Sequence, residues 1–176
     1  MFIGRPAILE RPVNAIVLFA ICMLTAGVGF LLHELAHKYV ALRYGRPAVF
    51  RADYSLLFLT VMSGIIGFLF AAPGAVHHRG PPDKRIHGLV ALAGPVTNLG
   101  LLGVFGMLLF APIGAVQTIG LFGVWINALL AAFNMLPLGP LDGRTVWAWH
   151  RGVFLIVFIP SAIIAVIVLF GVGIPL

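Results

Sequence analysis

The chain alternates long apolar runs with short polar interruptions rich in glycine and proline, and that alternation predicts its elements. Val13 to Leu32 is 20 residues without a charge, enough for about 30 Å of helix and one crossing of a bilayer core. Pro12 suits a first helical position and Gly45-Arg46-Pro47 a stop, so a first helix is expected over about 13–43. It is longer than the hydrocarbon is thick, so it should tilt or project beyond it. Residues 47–53 read as a short, polar-interrupted strand. Residues 54–71 are apolar but broken by Ser63-Gly64 and Gly67, and 72–85 are rich in proline, glycine and charge, a loop or hairpin outside the hydrocarbon. Apolar helices follow at about 86–110 and 115–136. A turn-rich stretch fills 137–144, and a last helix covers about 152–173.

Composition fixes the solvent these elements face. Hydrophobic residues make up 61% of the 176 and charged residues only 9%, against about 25% charged in a soluble domain. The fold class expected is an all-α polytopic membrane protein. It has about four transmembrane helices, a re-entrant segment over about 54–71, and a short β-hairpin or strand near the cytoplasmic face. The chain reads as a single membrane-embedded domain over 1–176, with no room for an additional soluble domain of ordinary size. The net charge of +6, from 11 Lys and Arg against 5 acids, bears on orientation in the bilayer rather than on nucleic acid, for which no partner role is expected. The first apolar run is too long for the core of a cleavable signal peptide. The single cysteine, Cys22, lies in that run and reads as packing.

One cluster of polar residues changes the picture. His33-Glu34-Leu35-Ala36-His37 fits H-E-x-x-H, in which residues four apart on a helix share a face and can offer two imidazoles to one ion. Zinc accepts neutral imidazole nitrogen, and an open position would hold a water whose pKa falls to about 7. Glu34 could take that water's proton and deliver it to a leaving amine. A solvated polar helix end beside Lys38 is the plainer reading, but ionisable groups flush against an apolar span are costly and tend to mark function. A third ligand is needed. Asp53 and Asp83 sit among basic loop residues, where solvated charge pairs suffice. Asp142 follows an apolar helix within Asn134-Met135-Leu136-Pro137-Leu138-Gly139-Pro140-Leu141-Asp142-Gly143. The prolines there free backbone groups that need a protein-lined or wet setting, so Asp142 is the expected third ligand. His77 and His78 read as solvated loop residues, and His150, near Trp147 and Trp149, as part of an interfacial belt.

HELAH at 33–37, AGPVTN at 93–98 and NMLPLGPLDG at 134–143 occur in the order found in the site-2 protease family of intramembrane metalloproteases, which the chain resembles over about residues 13–150. The resemblance implies His33, His37 and Asp142 as zinc ligands and Glu34 as the catalytic acid and base. It implies Asn134 as a hydrogen-bonding group for substrate or oxyanion, and Asn98 as support for the structural core. Ala36 stands where the family more often has glycine.

Closing the site constrains the topology. If 54–71 crossed fully, His33 and Asp142 would end near opposite faces; if it dips in and returns, both lie near one face. Charge placement agrees: with a re-entrant segment, nine of the eleven cations fall on that face, which the positive-inside rule makes cytoplasmic. The expected activity is hydrolysis of peptide bonds in or near transmembrane segments of membrane-anchored proteins, by a multi-pass zinc endopeptidase of the cell membrane. Its active site opens toward the cytoplasm and the bilayer is its other partner. Phe68 to His78 is expected to offer a strand edge to an unwound substrate. The alternative is a catalytically silent membrane zinc-binding protein or a metal transporter. Glu34 argues against it, because a carrier needs ligands but no proton acceptor beside them.

Overall fold

The computed structural model describes residues 15–52, 74–78 and 83–172. They form α1 (Ala15–Cys22), α2 (Val28–Arg43), β1 (Ala48–Ala52), β2 (Gly74–His78), α3 (Lys84–Met107), α4 (Gly114–Asn134), α5 (Asp142–Trp149) and α6 (Arg151–Ile167). A π-helical turn, Met23–Gly27, joins α1 to α2. Inside it the Thr25 hydroxyl donates to the Ile21 carbonyl at 2.8 Å, a back-bond that competes with the regular amide ladder. Among the described residues, four helices are long and apolar enough to cross a membrane: Ile16–Arg43, Lys84–Phe110, Gly114–Asn134 and Arg151–Gly171. The chain is a mostly helical membrane protein, and these bounds fall within three residues of those expected from hydropathy.

Three helix ends have a local cause. Gly45 takes φ +68° after α2, and the Arg46 amide reaches back to the Ala41 carbonyl at 2.9 Å, the Schellman closure that a glycine at this position permits. Asp83, expected to be a solvated loop charge, is instead the N-cap of α3. Its Oδ1 accepts from the amides of Arg85 at 2.8 Å and Ile86 at 3.2 Å, partners that a helix start otherwise leaves unsatisfied. His150, expected in an interfacial belt, caps α6 by accepting from the Val153 amide at Nδ1, 3.1 Å away. Nearby, the Trp147 ring lies 5.1 Å from the Arg151 guanidinium, a cation–π contact.

Helix α5 was not expected: 137–144 read as turns and nothing marked 142–149 as helical. Leu141 precedes it without a side-chain cap, so the usual start signal is missing. What holds α5 is tertiary packing. Val146 is fully buried with Ala91, Met135 and Phe154, and a Cβ at Gly143 would overlap the Met135 carbonyl. Glycine at 143 therefore lets the first turn of α5 lie directly on the end of α4.

Helix α3 is central, packing against α2, α4 and α5. Beside the Met135, Val146 and Phe154 cluster the interior holds polar side chains, Thr25, Asn98, Thr118, Asn127 and Ser161 among them, whereas many large apolar residues such as Phe19, Phe110, Ile156 and Phe170 face outward. That inversion suits lipid, which gives apolar side chains no reason to turn inward and leaves close packing and hydrogen bonds to join helices.

Strands β1 and β2 pair antiparallel, with Ala48 opposite His78 and Ala52 opposite Gly74. The strand expected over 47–53 thus corresponds to β1, and His77 and His78 lie on β2 rather than in a loop. Both strands lie against α2. The expected re-entrant segment, 54–71, falls outside the described residues, as do residues 72, 73 and 79–82 of the loop expected over 72–85. The C-terminal end of α2 and the start of α3 are adjacent, with the Arg46 guanidinium 2.9 Å from His87 Nε2, so the chain leaves and re-enters the bundle at one end.

Candidate metal centre

His33 and His37 project one turn apart from α2, both almost fully buried, with ring centroids 4.6 Å apart and planes nearly perpendicular. Asp142, the first residue of α5, meets them from across the bundle. Its Oδ2 lies 3.2 Å from His33 Nε2 and 3.3 Å from His37 Nε2. The ligand atoms of the three residues all lie within 4.8 Å of one another. The sequence-expected trio is therefore brought together, over a separation of more than a hundred residues.

The protonation states of the trio show what belongs between them. His37 Nδ1 is 2.7 Å from the Val90 carbonyl and His33 Nδ1 is 2.7 Å from Asn98 Oδ1. Both oxygens only accept, so each Nδ1 carries a proton and Nε2 is the nitrogen that each ring can offer to the centre. Two imidazole nitrogens and a carboxylate oxygen converging on one point call for a positive charge among them, and a metal ion supplies it without protonating either ring. Two imidazoles, one carboxylate and an open side form the donor set of a catalytic zinc site. The residues present fit the ion.

Backbone geometry admits this convergence. A Cβ at Gly94 would come within 2.5 Å of His33 Cε1 and Nε2 and 2.6 Å of His37 Cε1, closer than any side chain tolerates. Glycine at 94 thus lets α3 lie flat against both rings. Pro95 follows within the helix and is buried; its missing amide leaves the Ala91 carbonyl without its usual helical donor.

Glu34 shares the α2 turn with the ligands and interacts electrostatically with His33, His37 and Asp142. Its Oε2 is buried without a hydrogen-bond partner among the described residues. A buried carboxylate oxygen with no donor is costly, and the missing donor is what a water beside the metal would supply.

Asn98 is fully buried and touches a ligand directly, a closer involvement than support of the core. Its Nδ2 donates to Asn127 Oδ1 at 3.2 Å, and Asn127 Nδ2 to the Gly123 carbonyl at 2.9 Å. Asn134 is not drawn into the trio. It is partly buried near the end of α4 and donates from Nδ2 to its own helix at Leu130 O, 3.0 Å away. Asn127 escaped sequence reasoning, although a lone amide in the middle of an apolar helix was a signal open to use.

Three relatives support the metal. A protein of Methanocaldococcus jannaschii is 41% identical over 157 residues, spanning 87% of this chain and 82% of its own. A Bacillus subtilis protein is 38% identical over 141 residues, 69% of this chain and 64% of its own. A protein of Synechocystis is 32% identical over 146 residues, 81% of this chain but 32% of its own length. Each carries the provisional name zinc metalloprotease. No protein-family model matches the chain, and no solved structure gives a significant match.

Proposed function

The chain belongs to the site-2 protease family of zinc metalloproteases, and on that premise we propose that it is an intramembrane endopeptidase. It cleaves transmembrane segments of membrane-anchored proteins at a centre that opens toward the cytoplasm. The observation that carries this reading is the convergence of His33, His37 and Asp142 beside the partnerless buried oxygen of Glu34. Its depth is the second support, since the two histidines lie within a helix long and apolar enough to span a bilayer.

Bound zinc supplies Lewis-acid activation of water and of the scissile carbonyl. Glu34 accepts a proton from the attacking water as its oxygen adds to the carbonyl carbon. As the C–N bond breaks, Glu34 returns that proton to the departing amine, so the carboxylate ends as it began. Asp142 and the two imidazoles hold the metal against this base. Asn134, with one amide proton committed to Leu130 O, retains a second that can donate to the carbonyl oxygen as it gains charge.

A substrate helix hides its backbone in its own hydrogen bonds and must be opened first. β2 pairs with β1 along one edge and lies against α2, which places a strand beside the helix that bears the ligands. Addition of the unwound substrate to this sheet would hold it extended. Proline placed at successive positions of 74–78 is expected to lower turnover, and unchanged turnover at every position would remove strand addition from the proposal.

The activity is tested with the purified chain, a panel of transmembrane peptides, and Glu34→Gln. Cleavage by the wild type and its loss by about 100-fold or more in Glu34→Gln is expected, with zinc content equal in the two. Equal cleavage by Glu34→Gln would refute the assigned role.

A further inference from the structure

Resting on the reading of His33, His37 and Asp142 as a metal centre, we propose that Asn127 is a positioning residue. Through Asn98 it fixes which nitrogen of His33 is offered to the metal. The relay crosses three helices. His33 on α2 meets Asn98 on α3 at 2.7 Å, Asn98 meets Asn127 on α4 at 3.2 Å, and Asn127 meets the Gly123 carbonyl, on its own helix, at 2.9 Å.

A side-chain amide can present either its oxygen or its nitrogen to a neighbour, so the direction of such a chain has to be fixed at one end. Here the Gly123 carbonyl fixes it. That oxygen can only accept, so Asn127 must turn Nδ2 to it and Oδ1 toward Asn98. Asn98 must then turn Nδ2 to Asn127 and Oδ1 to His33. His33 must in turn carry its proton on Nδ1, which leaves Nε2 unprotonated and facing Asp142. Reversing any one amide would set two acceptors or two donors against each other in a fully buried place, where both asparagines have no solvent exposure and an unmade hydrogen bond is costly.

Without Asn127, the Asn98 amide could rotate and His33 could move its proton to Nε2, the form with no lone pair to offer at the centre that Nε2 faces. The fold makes room for the relay: a Cβ at Gly29 would lie 2.8 Å from Asn127 Oδ1. Gly29 is one turn before His33, so the helix that carries the ligand also accommodates the residue that orients it.

The experiment uses the full chain purified in detergent, metal-free and then titrated with zinc against a chromophoric chelator. His33 nitrogen shifts are read from histidine labelled with nitrogen-15 and assigned against His33→Ala. Wild type should show His33 protonated at Nδ1. Asn127→Leu and Asn127→Ala should show a mixture of the two tautomers and zinc affinity lower by about 10–100-fold. Leu preserves volume and Ala helix propensity, so a failure of one to fold leaves the other to report. Asn127→Asp keeps an acceptor for Asn98 and should keep the wild-type tautomer, a rescue that volume or helix propensity alone would not give. A pure Nδ1–H tautomer in every variant, with zinc affinity within about twofold of wild type, would overturn the proposal. So would an Asn127→Asp protein that behaves like Asn127→Leu. If wild type binds no zinc, the metal-centre reading fails, and the tautomers, read without metal, still decide the relay.

Discussion

At the scale of single residues, side chains distant in the sequence take separable parts. Asn98 hydrogen-bonds a ligand and Asn134 does not, so their substitutions should dissociate. Asn98→Ala is expected to lower zinc affinity by about tenfold or more. Asn134→Ala should leave zinc bound and lower kcat by about 100-fold or more, the usual loss for one donor to a developing oxyanion. Zinc titration and steady-state kinetics on both proteins separate the roles, and identical profiles would show that they share one. Interhelical side-chain hydrogen bonds in membranes are worth about 0.6 kcal/mol on average, too little for stability alone to account for a buried relay ending on a ligand. Gly94 is the sharper structural case. A methyl group there cannot coexist with both imidazoles, so Gly94→Ala should purify with much less than one zinc per chain, as metal analysis would show.

His33, Glu34 and His37 were legible because H-E-x-x-H sets its geometry within a single turn. Asp142 was legible from its apolar and proline-rich surroundings. Asn127 showed only as a polar residue within an apolar helix, and Gly29 and the Val90 carbonyl not at all, because their partners come from helix-to-helix contacts that no local spacing encodes.

Among the elements, the long helices followed directly from hydropathy, since a bilayer demands uninterrupted apolar length. The capping roles of Asp83 and His150 and the whole of α5 did not. A cap is decided by the φ and ψ of one residue, and α5 is eight residues long, held by Val146 in the core rather than by its own propensity. The end of α2 allows an element-scale prediction. Gly45 holds a left-handed conformation that costs other residues about 1–2 kcal/mol. Gly45→Ala should therefore lower the thermal stability of the detergent-solubilised protein by about that amount, with the metal site intact in the folded fraction. An unchanged unfolding midpoint would show that α2 does not depend on this closure.

For the whole molecule, the adjacency of the end of α2 to the start of α3, together with Asp142 at the His33 and His37 end of the bundle, agrees with the single-face site that the sequence required. Orientation rests on the bias of positive charge toward that face. Cysteines replacing Arg144 and Arg151 in a Cys22→Ser background should react with an impermeant maleimide from the cytoplasmic side of sealed vesicles. Labelling from the opposite side would reverse the assignment.

The most direct test of the metal centre is zinc K-edge X-ray absorption on the purified full chain. The predicted shell holds two imidazole nitrogens at about 2.0–2.1 Å and carboxylate or water oxygen at about 2.0–2.2 Å, one zinc per chain, lost in Asp142→Ala. A shell without histidine, or one unaltered by Asp142→Ala, would contradict it.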